Sequence, residues 1–107
     1  MTPGVGTLEI TPDPVDFGSN TKVNKTSKAK KVTIKNNSQV DVMVDGETTL
    51  LPFAVKTQCK KTLKPGKSCK VSVTFKPTNT TLQMGELIVN DNAMGDPQMI
   101  DLTGTGK

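Results

Sequence analysis

The stretch Cys59-Lys-Lys-Thr-Leu-Lys-Pro-Gly-Lys-Ser-Cys69 constrains this chain more than any other. It joins the only cysteines across a Pro65-Gly66 turn, and Val71, Val73 and Phe75 follow at every second position. Alternation of this kind marks a strand with one buried face, and a Pro-Gly pair marks a turn. The expectation is a β-hairpin stapled across its turn.

The cysteines admit three chemistries. A metal site would need more ligands, and with no histidine in the chain two thiolates would have to recruit Asp, Glu or Met. A redox site would normally show Cys-x-x-Cys or a thiolate beside a helix N-terminus. A structural disulfide between Cys59 and Cys69 is favoured, with free thiols in a reducing compartment as the alternative. Closing so short a loop contributes roughly 2–3 kcal/mol in the chain-entropy model. A disulfide places the chain outside the cytoplasm, in the periplasm, at the cell surface or in a secreted protein.

Alternation recurs along the sequence. Leu8 and Ile10 share one face of 7–11, and Val15-Asp-Phe17 resumes the strand after Pro12 and Pro14. Val32 and Ile34 face inward within 29–36. Asn36-Asn37-Ser38 makes a turn, and Val40, Val42 and Val44 alternate until Asp45-Gly46 turns the chain again. Pro52 confines the strand at 51–55 to a sheet edge. Further strands follow at 69–76, 85–90 and 97–104. The length of 107 residues suits one domain. About seven short strands without helical periodicity predict an all-β, immunoglobulin-like β-sandwich of Greek-key type. Residues 1–6 are expected to be a linker and residues 7–106 the single domain.

Phe17-Gly18, Asn36-Asn37, Pro52-Phe53, Cys59, Leu63-Lys-Pro-Gly-Lys-Ser-Cys69, Val73-Thr-Phe-Lys-Pro-Thr78, Gly85-Glu-Leu-Ile-Val89, Asp91-Asn-Ala93 and Leu102-Thr-Gly-Thr-Gly106 occur in that order. This succession resembles the bacterial branch of the ASH (abnormal-spindle and Hydin) domains, also called choice-of-anchor D domains. These are related to the major sperm protein and to PapD-like sandwiches. The resemblance implies a non-catalytic module of large bacterial surface or secreted proteins, used as spacer or adhesion unit. It carries the two cysteines over as a disulfide, and Gly104 and Gly106 as the exit to a following module. Thr81 departs from the pattern, which often has glycine there.

The side-chain inventory argues against catalysis. Without histidine, Ser/His/Asp and Cys/His triads are impossible, and the ten carboxylates form no convincing catalytic pair. No cofactor and no metal are expected. Sugar binding usually wants exposed aromatic platforms, yet Phe17, Phe53 and Phe75 all occupy core positions. Nucleic acid is not expected either, since arginine forks and stacking aromatics are missing. No apolar run is long enough to span a membrane. A protein partner, or neighbouring domains of the same chain, is the expected contact for a monomeric module.

Two surfaces are candidates. With the strands at 40–45, 85–90 and 97–103 in one sheet, Met43, Met84, Ile88 and Met99 point outward among acidic residues. An adaptable methionine-rich patch rimmed by charge is a candidate partner surface. The second surface follows from the net charge of +4 and from lysine runs free of acids at residues 18–40 and 48–85. On the outer face of the other sheet, Lys31, Lys35, Lys70 and Lys76 would form a basic surface. It gives the alternative function, a polyanion-binding module.

Overall fold

A computed structural model describes residues 6–93 and 98–107. The expected linker, apart from Gly6, lies outside the described residues, as does residue 97, the expected start of the last strand. Gly6 is buried, packed against the side chain of Val42.

The described chain forms nine strands in two sheets. In chain order they are β1 (Leu8–Thr11), β2 (Val15–Asp16), β3 (Lys30–Asn36), β4 (Val42–Thr48), β5 (Phe53–Thr57), β6 (Lys60–Leu63), β7 (Ser68–Phe75), β8 (Leu82–Asp91) and β9 (Gln98–Thr105). One sheet has the order β1-β3-β7-β5 and the other β2-β9-β8-β4-β6. Strands pair antiparallel except β2, which runs parallel to β9. The expected partition of β1, β3 and β7 from β4, β8 and β9 is therefore observed. No helix of the described residues is long and apolar enough to cross a membrane.

The inward residues read from period-two alternation form the core. Val32, Ile34, Val44, Val71, Val73, Leu87, Val89, Ile100 and Leu102 are all buried in it. At one end the rings of Phe17, Phe53 and Phe75 meet with centroids 5.1–5.8 Å apart. Gly104 on β9 lies against this cluster, and a Cβ there would come within 2.6 Å of the Phe75 ring. Backbone and ring approach so closely that any side chain would overpack the interface.

Three expectations are corrected. First, the cysteine segment is not a hairpin. β6 pairs with β4, Val42 opposite Leu63, while β7 pairs with β3 and β5 in the other sheet. The Pro-Gly turn exists, with Lys67 N–H donating to Lys64 O at 2.9 Å, but it carries the chain from one sheet to the other. β6 went unread because three of its four residues are exposed and only Leu63 is buried. Second, Asp45-Gly46 does not turn the chain. β4 runs through it with a register shift between Val44 and Glu47, and Gly46 takes φ +108°, which a side chain would resist. Third, the strand expected at 85–90 begins earlier, at Leu82.

Candidate interaction surfaces

Cys59 and Cys69 form a disulfide with Cα atoms 6.1 Å apart. Cys59 lies in the passage from β5 to β6, and Cys69 lies on β7, so the bond ties the crossing between the sheets to the four-stranded sheet. Beside it stands a residue that alternation did not single out. Glu47, at the β4 irregularity, is 1 % exposed. Its Oε1 accepts the Cys59 N–H at 2.6 Å, and among the described residues its buried Oε2 has no partner. Burial pushes its carboxyl above the ordinary range, against the opposing effect of the Cys59 N–H. No run or motif signals this residue, because in sequence it stands among residues that read as a turn.

The outer face of the five-stranded sheet carries all four expected apolar residues without gathering them into one cluster. Ile88 and Met99 are direct cross-strand neighbours. Met84 lies four residues along β8, about 13 Å away at strand spacing, opposite Thr103. The pair Glu86 and Asp101 stands between. Met43 lies toward the other end, where its N–H donates to Asn92 Oδ1 at 2.9 Å. Met43, Met84 and Met99 are exposed and Ile88 is half-buried.

The larger apolar exposure lies outside the strands, where alternation does not report it. Leu50 and Leu51, in the β4–β5 connection, are 83 % and 84 % exposed. They line a cleft of about 420 Å³ with Met84 and Ile88. Thr49 Oγ1 donates to Glu86 O at 2.8 Å and holds the connection against β8. Adjacent leucines cannot both face inward on a strand, and Pro52 follows them; that combination was the available signal for a projecting turn.

The four-stranded sheet presents Lys31, Lys35 and Lys70 on its outer face, and Lys76 follows the end of β7. Lys31 is opposite Ser72, and Lys70 is opposite Thr33. Lys35 is flanked by Ser68 on one side and by Glu9 of β1 on the other, so the face is not uniformly basic. Among the described residues no group of three or more His, Cys, Asp or Glu side chains could hold a metal ion.

Two sheets of this order, closed over one core, define an immunoglobulin-like domain of the ASH and PapD-like kind. The chain belongs to the family described as HYDIN/CFA65/VesB-like, Ig-like domain, which it matches over residues 6–105. Solved structures show the same fold at low identity. The ASH/PapD-like domain 7 of human CEP192 is 18% identical with a TM-score of 0.70, covering 100% of this chain and 89% of that one. A protein of unknown function from Porphyromonas gingivalis is 16% identical with a TM-score of 0.76, over 94% of this chain and 47% of that one. The secreted serine protease VesC from Vibrio cholerae is 15% identical with a TM-score of 0.69, over 95% of this chain and 23% of that one. The chain thus spans less than half of the two bacterial proteins. No curated protein matches it.

Proposed function

We propose that this domain is a non-catalytic protein-interaction module of a larger bacterial surface or secreted protein, and that a neighbouring domain of the same polypeptide covers its Leu50–Leu51 cleft. The observation that carries this reading is the exposure of two adjacent leucines beside Met84 and Ile88. Apolar residues grouped in this way mark contact sites more often than free surface. The Cys59–Cys69 disulfide supports an extracytoplasmic setting. Glu47, the carboxyl with a raised pKa, is sealed under the fold and aims its oxygen at a backbone amide, which supports the non-catalytic reading.

Hydrogen exchange tests the proposal. Amides at 48–52 and 84–88 should exchange more slowly in the full natural polypeptide than in the isolated domain. Substituting Leu50→Ser with Leu51→Ser should abolish that protection while the exposed positions keep the fold intact. Equal exchange in the two forms would count against a covered cleft.

A further inference from the structure

The connection between β2 and β3 reads in sequence as a polar linker, yet it is a strap hydrogen-bonded to both sheets. On the β9 side, Thr105 N–H donates to Gly18 O at 2.8 Å, Lys107 N–H to Thr21 O at 3.0 Å and Val23 N–H to Lys107 O at 3.2 Å. On the β7 side, Asn24 N–H donates to Pro77 O and Ser27 N–H to Phe75 O, each at 2.8 Å. Phe75 N–H returns a bond to Ser27 Oγ at 2.9 Å. Between these anchors the strap turns tightly, with Lys25 N–H on Lys22 O at 3.0 Å and Asn24 at φ +67°.

The strap encloses an open cleft of about 490 Å³ at the phenylalanine end of the sandwich. Lys22, Lys25, Lys28, Lys30 and Lys107 line it, and among the described residues no Asp or Glu does. Lys30 shares the inward phase of Val32 and Ile34 but lies at the start of β3, beyond the buried positions. A backbone pinned at both ends brings Lys22, Lys25 and Lys28 to the same concavity as Lys30 and Lys107, whereas Lys31, Lys35 and Lys70 are spread over a broad face that also carries Glu9. Like charges gathered with no Asp or Glu among them repel one another, so an anion entering the cleft gains from the group.

We propose that this cleft binds an anionic glycan. Asn20, Thr21 and Thr26 line it beside the lysines and offer amide and hydroxyl partners to sugar hydroxyls. Lysines act as point charges and suit sulfate or carboxylate groups without demanding a planar fork. Single-stranded nucleic acid would want an exposed ring to stack on, and the one ring at the cleft, Phe17, is 7 % exposed. A lipid surface would want apolar anchors beside the charge. The exposed large apolar side chains among the described residues, Leu50, Leu51, Leu82 and the three methionines, do not line this cleft.

Titrate the protein at about 50 mM salt, where charge contacts are strong, with a heparin-derived hexasaccharide, a hexagalacturonate and a hexathymidylate. Follow backbone amide shifts by NMR. One or both glycans should bind, with shifts concentrated at residues 20–30 and 105–107; which of them binds tells sulfate from carboxylate recognition. Lys22→Ala with Lys25→Ala and Lys28→Ala should weaken binding about tenfold, and Lys31→Ala with Lys35→Ala and Lys70→Ala less than about twofold. Circular dichroism on both triples confirms that each is folded. The proposal fails if neither glycan binds, if the two triples weaken binding equally, or if the oligonucleotide binds as tightly as the better glycan.

Discussion

Where β6 leaves the five-stranded sheet, Asn36 of the opposite sheet holds it with every side-chain polar atom paired. Where the chain comes into β6, Glu47 holds it with one oxygen paired and the other buried without a partner among the described residues. The Asn36 amide donates to Leu63 O at 2.8 Å and to Val40 O at 2.7 Å, and its Oδ1 accepts from Ser38 N–H and Oγ–H. Its backbone grips the Pro-Gly turn as well, through Gly66 N–H on Asn36 O and Asn36 N–H on Lys67 O. The Glu47 end has a covalent tie instead, from Cys59 to Cys69. A short edge strand with one buried side chain cannot secure itself. A saturated amide network secures one end, and an imperfect carboxylate backed by a disulfide secures the other.

The sharpest way to break this contrast is Asn36→Ala. It orphans the buried Leu63 O and takes one partner each from the part-buried Ser38 N–H and from Val40 O, which keeps Ser38 Oγ–H. At about 1–3 kcal/mol for the buried carbonyl, with smaller losses at the two part-buried groups, stability should fall by about 3 kcal/mol. Urea unfolding measures it as a lower midpoint at unchanged slope. A loss below that of the disulfide variant would mean that the amide network is not the stronger anchor.

Asn36-Asn37-Ser38 was legible in the sequence as a turn, but its inter-sheet role was not. Alternation reports which face of a strand is buried, and it read β3, β7 and β9 correctly because each carries several inward apolar residues. β6 has only Leu63, too few for any period to show. The irregularity at Gly46 hid for a related reason, since Asp-Gly suits a turn and an irregular strand equally well. The cysteine pair was legible as a disulfide and misplaced as a hairpin staple, because a Pro-Gly turn looks alike whether it reverses a ribbon or crosses between layers. Of the candidate surfaces, the outward methionines followed from phase. Leu50, Leu51 and the lysine strap are set by hydrogen bonds between segments far apart in sequence, which local pattern does not report.

A second test acts on the other end of β6. Cys59→Ser with Cys69→Ser should cost roughly 2–3 kcal/mol, the contribution of a short closed loop. The domain should still fold, since Glu47 keeps its bond to the residue 59 amide. Hydrogen exchange in the double variant should rise first at residues 57–61 and leave the Asn36 turn protected. Uniform acceleration through both ends would show that the anchors are a single cooperative unit.

The smallest effect, and the most specific, is the pH dependence of Glu47. Its ordinary value is 4.5, and burial raises it in the folded protein. The folded state therefore holds the proton more tightly than the unfolded chain does. The stabilisation from this group is fully present below the unfolded value and is lost as pH rises through the folded one. Other carboxylates add slopes of their own, so the informative quantity is the stability difference between the native protein and Glu47→Gln. The glutamine keeps an acceptor for the Cys59 N–H and has no charge to desolvate. The variant should therefore gain on the native protein as pH rises above the ordinary value of 4.5, with the gain levelling off once Glu47 has ionised in the folded state. A difference constant across that rise would show that Oε2 is solvated after all. The Glu47 end of β6 would then be as well satisfied as the Asn36 end, and the asymmetry between them would rest on the disulfide alone.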